Sequence, residues 1–203
     1  MNPAWRSQPH AWIFDLDGTL TVAQHDFDAI RTALGVPHGA LILEFINKQP
    51  AARSATLRAH LDEIEIALAR KARAAPGALR LLAGLKRHGA PIGILTRNTR
   101  NNALAALQAI DALHMFDDEF ILGRDEAAPK PNPAGIRKLL DSWGASANDA
   151  TMVGDYHFDL EAGRNAGCFT VHVSAGRQER WPELTDLHLP NLRDLARLAL
   201  PNY

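Results

Sequence analysis

The chain has 203 residues, enough for one well-cored domain carrying an insertion or for two small domains. Its 46% hydrophobic and 22% charged residues are those of an ordinary soluble globular protein, and a net charge of -1 gives no reason to expect nucleic acid or a membrane surface as a partner. A single cysteine, Cys168, excludes an internal disulfide framework. No apolar run approaches the roughly 18 residues that span a bilayer. Met1-Asn-Pro-Ala-Trp-Arg lacks the charged-then-apolar order of a signal peptide, so a cytoplasmic location is expected.

The first element is Trp12-Ile13-Phe14, a short apolar run that predicts a buried strand. Asp15, Asp17, Gly18 and Thr19 follow at once. Carboxylates two apart share one face of an ideal strand, and two crowded negative charges need a cation or a proton. Asp-x-Asp-Gly by itself also suits a hairpin turn, but Leu20-Thr-Val22 offers little of a returning alternating strand. Helical patterning then takes over: a segment from His25 to Leu34 stopped by Gly35 and Pro37, then Leu41, Ile42, Phe45 and Ile46. Leu57, Leu61, Ile64 and Leu68 mark a third helix within 51–74, ended by Ala74-Ala-Pro-Gly77. Residues 22–75 thus read as a small all-helical insertion whose apolar stripes are its own core.

From Ala78 helices and strands alternate. Leu79, Leu82 and Leu85 predict a helix ending at His88-Gly89, and Pro91 to Leu95 a buried strand ending at Thr96. Asn102 to Ile110 reads as helix, Glu119 to Gly123 as strand, and Asn132 to Trp143 as a helix with Pro133 in its first turn. Ala150 to Val153 is a fourth strand closed by Gly154-Asp155; Leu160 to Ala166 is a helix and Cys168 to Val173 a fifth strand. Leu184 to Leu198 supplies a small strand and a closing helix. This alternation predicts an α/β fold with a parallel sheet covered on both faces.

Four strand ends carry a distinct polar set: Asp15 and Asp17; Thr96, Arg97 and Asn98; the loop with Lys130 between prolines; and Gly154-Asp155 with Asp159. In a parallel sheet these ends open on one edge, so the residues can converge. The set suits phosphoryl transfer. A carboxylate nucleophile divides hydrolysis of a phosphate ester into formation and hydrolysis of an acyl phosphate. Mg²⁺ is commonly held by one or two carboxylates, and Asp15 and Asp155 are the natural pair here. Lys130 brings positive charge and Thr96 a hydroxyl donor to phosphate oxygens. Asp17 can protonate the leaving oxygen and then take a proton from water.

The order Asp15-Leu-Asp-Gly-Thr-Leu20, Thr96, Lys130 in Lys-Pro-Asn-Pro, and Gly154-Asp155-Tyr-His-Phe-Asp159 resembles the haloacid dehalogenase-like hydrolase superfamily, over nearly the whole chain. The similarity is greatest to its subfamily I phosphatases with a small helical cap, the phosphoglycolate phosphatase-like members. The resemblance implies a Rossmann-like core (1–21 and 76–203) with a mobile cap at 22–75. It implies that Asp15 is the nucleophile and a Mg²⁺ ligand, and that Asp17 is the acid/base and binds metal through its backbone carbonyl. Asp155 would complete the protein ligands, Thr96 and Lys130 would hold the phosphoryl group, and Asp159 would support the metal water or Lys130. Asp17 argues against the dehalogenase branch, which lacks it, and against the phosphonate-cleaving branch. A phosphomutase keeps all four motifs and stays open; so does a non-catalytic phosphoaspartate switch, although receiver domains are shorter and lack the insertion.

The expected substrate is a small phosphorylated metabolite. Arg97 and Asn98 are candidate substrate contacts, and Lys48, Arg53 and Arg58 are guesses for an anionic leaving group. The nine histidines show no metal-binding spacing and read as surface or cap residues, Cys168 reads as core, and the scattered Trp5, Trp143 and Trp181 suggest no stacking platform for bases. Oligomeric state is not legible.

Overall fold

The structure, a computed structural model, describes residues 10–24 and 26–200. Six strands form one parallel sheet: β1 (Ala11–Phe14), β2 (Ile92–Leu95), β3 (Ile121–Leu122), β4 (Ala150–Gly154), β5 (Phe169–Val173) and β6 (Leu187–Leu189). Their order is β3-β2-β1-β4-β5-β6, which places β1 at the centre with Trp12 opposite Ile92 on one side and Thr151 on the other. All four side chains of β1 are buried, as expected of a strand covered on both faces. Trp12 and Phe14 face a core shared with α4 (Ala78–Arg87), α5 (Arg100–Ala109) and α8 (Leu192–Ala199). Ala11 and Ile13 face a second core with α6 (Ala134–Trp143) and α7 (His157–Ala166). The fold is thus the expected Rossmann-like α/β sandwich.

Several element details differ from the sequence pattern, each for a local reason. The buried stripe of α4 is Ala78, Leu81, Leu82 and Leu85, with i, i+3, i+4, i+7 spacing, and Leu79 is exposed. The third strand has only two residues because Asp118–Phe120 forms a 3₁₀ turn ahead of it. Helix α7 starts a turn earlier than its apolar pattern, at His157, because the Asp159 carboxylate accepts from the Tyr156 N–H (3.0 Å) at its entry.

Between β1 and α4 lie α1 (Phe27–Leu34), α2 (Ile42–Asn47) and α3 (Ala51–Ala69). Asp26 caps α1 through the Ala29 N–H (3.0 Å), Gly35 ends it at φ 64°, and α3 stops short of the expected residue 74. Ile30, Leu34, Val36, Ile46 and Leu61 form an apolar cluster of the insertion's own. Its two stems are tied together where the chain enters and leaves: the Val22 N–H donates to the Arg73 carbonyl and the Ala75 N–H to the Leu20 carbonyl (both 2.8 Å). His25, where the first helix was expected to begin, lies outside the described residues, as do Met1 to Trp5. Among the described residues no helix is long and apolar enough to cross a membrane.

Cys168 is core, but two histidines correct the surface reading. His10 is buried against the Thr151 hydroxyl (2.7 Å), and His172 of β5 is buried against the Trp181 and His188 rings. His172 follows from the sheet, whose covered faces draw its side chains inside, and His10, just ahead of β1, packs against Trp12 and Thr151. Burial, helped by the nearby His188 and Arg180, pushes the His172 pKa down to about 4. An unfolded chain takes up that proton near pH 6.5, so folding stability falls as the pH drops from there towards 4. His172→Phe is expected to flatten this part of the curve, read as a smaller loss of Tm than the wild type shows between pH 7 and pH 5.

Candidate active site

The site grows from the end of the central strand. The Asp15 N–H donates to the Val153 carbonyl (2.9 Å), carrying the β1–β4 ladder one residue beyond β1. The chain then turns tightly, with the Thr21 N–H on the Leu16 carbonyl (2.9 Å) and the Gly18 N–H on the Thr21 carbonyl (3.1 Å). Gly18 has φ +96°, and a Cβ there would lie 2.5 Å from an Asp155 oxygen. Only glycine takes this turn without moving Asp155. The Thr19 hydroxyl donates to the other Asp155 oxygen (3.0 Å).

Lys130 reaches in from the loop between β3 and α6. Its buried ammonium lies 2.5 Å from Asp15 Oδ1 and 2.7 Å from Asp159 Oδ1. The second Asp159 oxygen holds the Tyr156 N–H (3.0 Å), so this carboxylate fixes both the lysine and the start of α7. A Cβ on Gly154 would lie 2.1 Å from that of Asp159, which is why the helix can start so close to the strand end.

Asp15, Asp155 and Asp159 present oxygens within 4.8 Å of one another. Two cations stand against them: Lys130, and Arg177 from the loop after β5, which pairs with Asp155. Burial, together with the charges of Asp159 and Asp155, holds the Asp15 carboxyl well above its usual range although Lys130 pulls the other way. Burial and Asp159 push Asp155 up to about 6 against the pull of Arg177. Burial also works to lower the Lys130 pKa, but Asp15 and Asp159 outweigh it and raise the value above that of ordinary lysine. Negative charge is therefore in excess, in an all-oxygen donor set that suits a hard divalent cation. A cation at Asp155 would share that carboxylate with Arg177.

The end of β2 supplies the rest. The Thr96 hydroxyl accepts the Asn98 N–H (3.0 Å), leaving its own proton to donate. The Asn98 amide donates to Asp17 Oδ2 (3.3 Å) and is itself steadied by Asn102 (2.8 Å). Arg97 spans to Glu44 of α2 (2.6 Å) and to the Lys130 carbonyl (2.5 Å), and lies over the Phe158 ring (4.5 Å to the centroid). A second tie joins the insertion to the sheet: Arg124, just after β3, pairs with Asp62 and with Glu65 (3.0 Å) of α3. Burial, with Asp17 and Asp62 nearby, pushes Glu65 up to about 7 despite Arg124.

Asp15, Asp17, Thr96, Arg97, Asn98, Lys130, Asp155 and Asp159 line one cavity of about 440 Å³. Lys48, Arg53 and Arg58 do not line it; Arg58 bonds Asn47 instead. The sequence reading missed Arg177, Glu44, Arg124, Tyr156 and Trp181. For Arg177 a signal existed, since β5 ends on the same sheet edge as β1 and β4. For Glu44 and Trp181 no periodic or spacing signal exists.

The model of the haloacid dehalogenase-like hydrolase family matches residues 22–173. The chain belongs to this family. It is therefore a hydrolytic enzyme, which removes the non-catalytic switch, and it falls in the phosphoglycolate phosphatase-like branch. Within the family it is 32% identical over 199 residues to a phosphoglycolate phosphatase of Rhodospirillum rubrum, covering 83% of this chain and 80% of the relative. It is 29% identical over 197 residues to an uncharacterised hydrolase of Saccharomyces cerevisiae, covering 93% and 89%. The fold matches the crystal structure of a hydrolase from Pseudomonas syringae with a TM-score of 0.77 at 22% identity, over 93% of this chain and 96% of that one.

Proposed function

We propose that this hydrolase is a Mg²⁺-dependent phosphomonoesterase that works through a phosphoaspartate on Asp15, with a small phosphorylated metabolite as substrate. The observation that carries the reading is the buried Lys130 ammonium, bonded at once to Asp15 and Asp159, inside a group of three close carboxylates. Such a group is poised to receive a cation and a phosphoryl dianion together. Asp15, Asp155 and the Asp17 carbonyl would hold Mg²⁺, which when bound supplies positive charge to the phosphoryl oxygens. In the first step an Asp15 oxygen forms a bond to phosphorus as the bond to the ester oxygen breaks, and Asp17 gives that oxygen its proton. In the second, water yields a proton to Asp17 and attacks phosphorus, releasing phosphate and restoring Asp15. Thr96 and Lys130 donate to the phosphoryl oxygens in both. Asn98 positions the Asp17 carboxylate (3.3 Å).

In this reading residues 22–75 form a cap over a core of 1–21 and 76–203, and the ties from Arg97 to Glu44 and from Arg124 to Glu65 hold it closed. Closure keeps bulk water from the acyl phosphate. A free buried Cys168 agrees with a cytoplasmic setting. Phosphate release is expected to vanish with a chelator and to return with added Mg²⁺. Ca²⁺ is expected to support it poorly, because its longer bonds and higher coordination number disturb in-line transfer. Full turnover in metal-free buffer would sink the mechanism.

A further inference from the structure

The insertion, the start of α7 and the segment after β5 bring a group of apolar side chains to the cavity, next to a few charged ones. Phe27, Leu41, Leu43, Tyr156, Phe158 and Trp181 line it beside the carboxylates of the site. Five large apolar side chains are exposed among the described residues, and three of them, Phe27, Leu41 and Tyr156, open onto this one cavity. Concentrated exposure of this kind marks a binding surface, whereas scattered exposure needs no explanation.

The charged groups on the same walls are already matched. Arg31 is paired with Asp28 (2.9 Å) and also donates to the Ala40 carbonyl (2.9 Å). Arg97 is paired with Glu44, and Arg177 with Asp155. Glu65, also on the wall, is held by Arg124 (3.0 Å), and Glu179 lines the cavity as a further acid. A leaving group bearing a carboxylate would compete with these acids for the guanidinium donors and sit near Glu179, whereas an uncharged apolar group does neither. The volume of about 440 Å³ also lies in the range, roughly 300–1,000 Å³, that encloses ligands much larger than a two-carbon acid.

We infer that the preferred substrate is a phosphate monoester whose alcohol part is uncharged and predominantly apolar, with an aromatic ring or a branched chain seated among Phe27, Leu41, Tyr156 and Trp181. The inference rests on the phosphomonoesterase reading, and it sets this enzyme apart from the activity named for its Rhodospirillum rubrum relative.

The test measures phosphate release by the full chain with Mg²⁺ from ethyl phosphate, 2-phenylethyl phosphate and phosphoglycolate. The first two share nearly the same leaving oxygen chemistry and differ in apolar size. The phenyl ring adds six carbons; with about half of them newly buried, at about fourfold per methylene-sized group, kcat/KM is expected to rise on the order of 100-fold from ethyl to 2-phenylethyl phosphate, mostly through KM. Phosphoglycolate is expected to fall below 2-phenylethyl phosphate. In Leu41→Ser and in Trp181→Ser the ratio of phenylethyl to ethyl phosphate should drop several-fold. If phosphate is released but phosphoglycolate is preferred, or the two alkyl esters are treated alike, the inference is overturned and the phosphomonoesterase reading stands. If no ester releases phosphate, both fall.

Discussion

Lys130→Met is expected to lower the stability of the fold by about 3–5 kcal/mol and to reduce turnover by on the order of a hundred- to a thousandfold. The methionine keeps an unbranched stem but removes the ammonium that touches both Asp15 and Asp159. Among the described residues, three close buried carboxylates would then be left with Arg177 as their paired cation. Breaking a buried pair from one side leaves its partner desolvated and uncompensated, so the loss exceeds what the pair itself contributes. Part of it is relieved by protonation, since burial already raises Asp15 and Asp155, which places the expected loss towards the lower end. Mg²⁺ should restore stability in the variant more than in the wild type, because a cation bound only by the folded state stabilises it by mass action. Urea unfolding of both proteins, with and without Mg²⁺, measures this. An unchanged midpoint in the variant would show that Lys130 is not what balances the carboxylates.

The same residue shows what a sequence can and cannot disclose. Between two prolines, Lys130 has the local character of a solvated loop residue. Its importance was legible only from its place in the order of motifs and from the rule that parallel strand ends share an edge. That rule also delivered Asp15, Thr96 and Asp155, because each follows directly on a buried apolar run whose direction is fixed by the alternation of helices and strands. The helical insertion was legible from periodicity, although Ala78 and Leu81 rather than Leu79 complete the stripe of α4, since alanine carries little weight in an apolar pattern. The walls of the cavity were not legible. Glu44, Arg177 and Trp181 reach the site on side chains of loops or short helices, where no period fixes direction and where only the packing of the insertion over the sheet decides what faces inward. Arg177 is the exception in principle, since it lies just beyond the end of β5, on the same sheet edge as Asp15 and Asp155. Lys48, Arg53 and Arg58 stand outside the cavity lining for the same reason: composition marks a residue as charged but not as facing the site.

Asp17→Asn is expected to trap the covalent intermediate. With an activated aryl phosphate the leaving oxygen needs little protonation, so the first step proceeds without the Asp17 proton. The second step has no such relief, because water must lose a proton as it attacks the acyl phosphate and an amide cannot take it. The variant should therefore phosphorylate faster than it dephosphorylates. The substitution is close to isosteric, and the contact from the Asn98 amide (3.3 Å) in the wild type can be kept by the asparagine oxygen, so the geometry around Thr96 is expected to survive. Mass spectrometry after a rapid quench should show one added phosphoryl group in the variant, mapped to Asp15. The wild type at the same time point should show much less while releasing phosphate continuously. Asp15→Asn provides the control: a neutral amide is a far poorer nucleophile than a carboxylate, so no phosphoryl group should appear and turnover should be lost. A phosphoryl group on another residue, or none in Asp17→Asn while phosphate is still released at the wild-type rate, would mean that Asp15 is not the nucleophile or that Asp17 is not the base. A ratio of bound to released phosphate that rises in Asp17→Asn and vanishes in Asp15→Asn is the pattern that the two carboxylates at the end of β1 require.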